Sequence, residues 1–65
     1  MKLKYFPDTD TLYIEFSDTE IVETKDLDEN TILDLDAGGN ICAITVEHAS
    51  KKTDVNYLAL EGIAA

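Results

Sequence analysis

From Leu3 to Val46 the apolar side chains recur at every second position, in short runs broken by residues that favour turns. That period of two constrains the fold more than any other feature. Successive side chains of a strand point to opposite faces, so each run presents one apolar edge to a core and one polar edge to water. Leu3 and Tyr5 alternate with Lys2 and Lys4, and Leu12, Ile14 and Phe16 alternate with Tyr13 and Glu15. Leu33 and Leu35 oppose Asp34 and Asp36, with Ile32 out of phase, and Cys42, Ile44 and Val46 form the core side of the run from Ile41 to His48. The stretch Ile21 to Leu27 keeps the alternation poorly and is polar, which predicts an edge or bulged strand.

The interruptions are equally informative. Pro7-Asp8-Thr9-Asp10-Thr11, Ser17-Asp18-Thr19-Glu20 and Asp28-Glu29-Asn30 are built from residues that fix φ or hydrogen-bond their own backbone. Ala37-Gly38-Gly39-Asn40 is the strongest hairpin signal, because Gly and Asn tolerate positive φ. Parallel pairing needs a crossover of about a dozen residues or more, and these gaps are too short. The expectation is a mainly β fold, with α+β as its variant: one domain over residues 1–65, an antiparallel meander of four to five short strands. The segment Ala49 to Asp54 is expected to form a short helical turn. An extended segment around Tyr57–Gly62 follows it in one reading, and in the other a single C-terminal helix crosses one sheet face.

Composition narrows the function. A chain of 65 residues buries only about 60% of the surface its unfolded form exposes. Domains this small commonly rely on disulfides, a metal or oligomerisation. Cys42 is the only cysteine, so no internal disulfide forms, and a lone thiol suits a reducing compartment. The first seven residues contain no apolar stretch like that of a signal peptide, and no run approaches the ~20 residues of a membrane span; cytoplasmic is the expected location. The net charge is −9, and between Tyr5 and Ser50 there are twelve acids against Lys25 alone. Nucleic-acid binders must offer Lys and Arg to displace counterions. Direct contact with DNA or RNA is therefore disfavoured, as is an anionic membrane; a basic protein would be attracted.

With these runs in place the chain resembles the DUF2283 family of small prokaryotic domains. The matching residues are Lys4-Tyr5, Pro7 to Ile14, Ile32 to Asp36, Gly39-Asn40-Ile41 and Val46 to Ser50; family members often carry Gly where this chain has Ala43. The resemblance implies a compact antiparallel β fold and supplies neither an activity nor a catalytic residue. Genes of the family can lie beside small toxin-like partners, so an antitoxin-like pairing is among the expectations.

No residue set makes a convincing catalytic centre. The pairs Asp8/Asp10 and Asp34/Asp36 invite a cation site or acid–base chemistry at a subunit interface. Asp34 to Gly39 echoes the start of a calcium loop, but Gly38 stands at a ligand position and Thr45, not Glu, at the twelfth. Solvated faces and turn capping account for these aspartates, which leaves Asp34 and Asp36 as weak metal candidates. Cys42 and His48 fall on one side of a strand about 20 Å apart at ~3.3 Å per residue, too far to act as a pair. One Cys and one His cannot supply a zinc spacing, and no phosphate-binding glycine loop opens a helix. No cofactor is implied. Tyr13, out of phase with Leu12 and Ile14, belongs on the outer face and is the candidate interaction residue. The reading that follows is a non-enzymatic interaction module, acting as a homodimer or as the acidic partner of a basic protein. The alternative is a small metal-dependent binding protein or enzyme using the aspartates.

Overall fold

The computed structural model describes residues 1–55, and the two alternatives for the tail beyond Asp54 fall almost wholly outside that range. Five strands and one short helix follow in order: β1 (Lys2–Phe6), β2 (Thr11–Glu15), β3 (Glu23–Asp28), β4 (Thr31–Leu35), β5 (Ile41–Glu47) and α1 (Ala49–Lys52). All pairings are antiparallel, in one sheet ordered β1-β2-β5-β4-β3. The expected meander runs through the β1-β2 hairpin and through β3-β4-β5; the β2-β5 pairing joins these two units. The polar segment expected at an edge is β3, which lies outermost and carries a register shift between Asp26 and Asp28.

Each turn has a local cause. Asp28 Oδ1 accepts the Asn30 N–H at 2.8 Å, bending the chain between β3 and β4. The β4-β5 loop closes with Gly39 at φ 79°, a left-handed position, while the Gly38 and Asn40 N–H groups donate to Asp36 Oδ1, each at 2.9 Å. Among the described residues Asp10 and His48 are the two non-glycine residues with positive φ (53° and 54°), one leading into β2 and one leading out of β5. Asp is among the residues that tolerate this conformation, and both positions are held by hydrogen bonds described below.

Register divides the side chains cleanly. One face carries the row Leu3, Ile14, Ile44 and Leu33, ending in Lys25 on β3, with Tyr5, Leu12, Val46 and Thr31 beside it. The other carries Lys4, Tyr13, Thr45, Ile32 and Asp26, and beside them Lys2, Glu15, Ala43, Asp34 and Thr24. The first is called the apolar face below and the second the polar face. The buried apolar side chains among the described residues are Leu12, Leu35, Cys42, Ala43 and Ala49. None of the middle row is among them. Leu3 and Tyr5, expected in the core, are 42% and 38% exposed, because β1 is an edge strand and no second layer covers it among the described residues. The principal extents, 35 × 32 × 17 Å, are those of a slab.

Candidate functional site

The two ends of the apolar face are closed. At one, the connection from β2 to β3 runs past the start of β5, with Thr19 Oγ1 3.2 Å from Cys42 Sγ and the Val22 N–H donating to Leu35 O at 2.9 Å. That contact buries Cys42, as its place on the core side predicts. At the other end, Asp10 ties the β1-β2 turn to α1. Its carboxylate accepts from the Tyr5 hydroxyl, from Ser50 Oγ (2.7 Å) and from the Ser50 N–H (3.1 Å), and its own carbonyl accepts the Ala49 N–H (2.9 Å). The hydrogen bond from Tyr5, then that from Ser50, holds the Asp10 carboxyl below its ordinary pKa; the same bond to Asp10 raises that of Tyr5.

Between these closures nothing described lies over the middle of the apolar face. Ile14, Ile44, Leu33 and Val46 are only half-buried, and Leu3 and Phe16 are exposed. Acids on it are confined to the β3 edge: the register places Glu23 there, 4.0 Å from the Lys25 ammonium, and, past the bulge, Asp28 opposite Thr31. The polar face holds Glu15, Asp26, Asp34 and Glu47, against Lys2 and Lys4 on β1. Tyr13 lies on it as expected, half-buried between Lys4 and Thr45, and loss of water and then the Glu15 and Asp34 charges push its phenol pKa up.

The sequence candidates for chemistry are occupied separately. Asp34 Oδ1 accepts a cross-strand hydrogen bond from Thr24 Oγ1 at 2.9 Å. Asp36 is folded onto the hairpin amides, and the Asn40 N–H chiefly lowers its pKa. Asp8 lies in the β1-β2 turn, and Asp10 belongs to the Tyr5-Ser50 network. Among the described residues no three His, Cys, Asp or Glu side chains group as a metal site would require. Cys42 and His48 stand at opposite ends of β5, the thiol near Thr19 and the imidazole Nδ1 2.9 Å from Asn30 Oδ1. Among the described residues, open grooves run along Ser50–Val55 and between Met1-Lys2 and Glu15–Asp18. No helix among the described residues is long and apolar enough to cross a membrane.

The Asp10 network escapes a reading of the sequence because it joins residues forty positions apart; its one local trace is an Asp at a turn that tolerates positive φ. The open apolar face escapes it as well. Alternation identifies which side chains share a face, and it is silent on whether a second layer covers them.

The fold and its surfaces define a small antiparallel β domain with one acidic and one apolar face. The chain belongs to the family described as "Protein of unknown function (DUF2283)", whose model matches residues 2–50, and the resemblance read from the sequence is thereby shown. No match was found among curated proteins or among solved structures.

Proposed function

We propose that this chain is a non-enzymatic protein-interaction module that works by assembling, with a second copy of itself or as the acidic partner of a basic protein. The supporting observation is a sheet that forms a single layer among the described residues, whose central apolar row is half-buried at best, while most acids of the strands lie on the other face and those on this one, Glu23 and Asp28, stand at its β3 edge. Large contiguous apolar patches on soluble domains mark contact surfaces. The acidic side accelerates encounter with a cationic partner and makes it salt-sensitive. An antitoxin-like role, masking a small basic protein, is one form that this assembly takes.

The test is affinity capture with the full chain at low salt, alongside native mass spectrometry of the purified protein. The reading expects either self-association or one basic protein that is retained at low salt, released at high salt and lost when Glu15 and Asp34 are both changed to Lys. A chain that remains monomeric and retains no such protein overturns it.

A further inference from the structure

We infer that α1 is a latch, fastened to the β1-β2 turn by Asp10, that opens as a unit while the sheet stays paired. This goes beyond the assembly proposed above and does not depend on it. The inference starts from what the segment lacks. α1 has four residues, and helices shorter than about a dozen residues are marginal on their own in water. The first N–H groups of a helix have no partner inside it, and an ordinary N-cap residue satisfies one of them with its side chain. His48 stands at that place with φ 54° and ψ 42°, in the left-handed region, and its side chain makes no capping bond. The first turn holds no acid to favour the positive end of the helix.

Asp10 supplies the cap from forty positions away. Its carbonyl accepts the Ala49 N–H at 2.9 Å, and its carboxylate accepts the Ser50 N–H at 3.1 Å and the Ser50 hydroxyl at 2.7 Å. The start of α1 is thus written into a different turn, between β1 and β2. The hinge is held separately, by the turn between β3 and β4. There the Glu47 N–H donates to Asn30 O at 2.7 Å, and the His48 imidazole Nδ1 lies 2.9 Å from Asn30 Oδ1. When the Asp10 bonds break, the Asn30 bonds still fix the end of β5, so the opening stops at His48.

Among the described residues little else holds the segment down. Ala49 is the buried residue of α1, and Ser50, Lys51 and Lys52 are exposed. A single methyl side chain buries little apolar area. The Lys51 N–H donates to His48 O at 3.0 Å and the Thr53 N–H to Ala49 O at 2.8 Å, bonds that stay within the segment and do not tie it to the sheet. Elements with exposed hydrogen bonds and few buried contacts open below the free energy of global unfolding. α1 is such an element, and its opening uncovers Ala49.

The experiment is native-state hydrogen exchange on the full chain, followed residue by residue by NMR at low urea concentrations. The amides of Ala49, Ser50, Lys51 and Thr53 report on the latch, and those of β5 report on the sheet. The latch amides are expected to share one protection factor, at least about tenfold below that of β5, and to respond little to urea, because a local opening exposes little surface. Asp10→Gly keeps the left-handed turn, which Gly adopts without strain, and removes the carboxylate. In that variant the α1 amides should exchange at nearly the rate of an unstructured peptide, while those of β5 remain at least about tenfold slower. Ser50→Ala removes the hydroxyl bond alone and should lower α1 protection by about threefold. Protection in α1 that matches β5 in size and falls as steeply with urea overturns the inference, because α1 then opens only with the whole domain. An Asp10→Gly variant that folds with α1 still protected overturns it as well. Should that variant not fold, the urea dependence of the unaltered chain decides the matter by itself.

Discussion

Ile44 and Thr45 are neighbours in β5, yet they look onto surfaces of different character. Ile44 lies in the apolar row between Ile14 and Leu33, and Thr45 lies between Tyr13 and Ile32 on the side that carries Glu15, Asp26, Asp34 and Glu47. Both are half-buried, so exposure alone does not separate them. What separates them is the charge around them. Strand alternation sorts most strand acids to one side, and the same sorting leaves the centre of the other side apolar whether or not anything covers it. A strongly acidic chain can thus keep one surface whose few acids stand at a single edge.

Substitutions that cross this divide probe it, and the largest effect is expected at a large buried side chain of the apolar face. Leu12→Ala removes a side chain only 6% exposed and should cost about 2–4 kcal/mol, enough to unfold much of so small a domain. Urea denaturation followed by circular dichroism measures this, and a loss below about 1 kcal/mol would mean that the apolar face has no packed interior. Smaller is the effect of Thr45→Val, which makes the polar face more apolar at its centre. It should change stability by about 0.5 kcal/mol or less and leave the oligomeric state unchanged; new self-association in sedimentation would show that the faces are not functionally distinct.

The closure at the Asp10 end predicts a pH window. Asp10, Asp28 and Asp36 have folded pKa values lowered from 3.8 by the hydrogen bonds they accept. Their contribution is complete above the ordinary carboxylate pKa and is lost as pH falls below about 4 toward the depressed folded values. Tyr5 has its pKa raised from 10.0, so its share of the Asp10 bond holds below that value and fails as pH rises through the higher folded pKa. Melting temperature should therefore fall on both sides of a plateau. Asp10→Asn should flatten the acid limb and Tyr5→Phe the alkaline limb, while an unchanged profile in both would remove the network from the account. The smallest effect concerns cations: calorimetric titration with Ca²⁺, Mg²⁺, Mn²⁺ and Zn²⁺ should give no micromolar binding. Micromolar affinity that vanished in Asp34→Asn/Asp36→Asn would favour the metal-dependent reading instead.

Much of this architecture is legible from local chemistry. Gly39 in a run of Gly and Asn identifies the hairpin, the ragged pattern of Ile21 to Leu27 identifies a bulged edge, and Ala49 to Lys52 is the helical turn expected there. The strand order is not legible in the same way. Joining β2 to β5 is a decision between residues about thirty positions apart, and alternation gives every strand the same vote. Leu3 and Tyr5 have core periodicity and lie exposed, because periodicity reports a face and not its cover. The candidate site follows the same division: Tyr13 takes the outer face that its phase predicts, whereas Asp10, read as a turn residue, gathers Tyr5 and Ser50 into a closure that no spacing announces.

The position of β5 also decides when this protein can fold. The β1-β2 and β3-β4 hairpins form from neighbouring residues, but two-stranded ribbons are marginal in water by themselves. They become one sheet only when β5, the last strand described, pairs with both. The slow event is then a single insertion that must close loops on each side before it is rewarded. Weakening β5 at Ile44 should slow refolding in stopped-flow measurements, whereas weakening β1 at its outer edge should mainly hasten unfolding. The strand that joins the two halves of the sheet thus also sets the rate at which they meet.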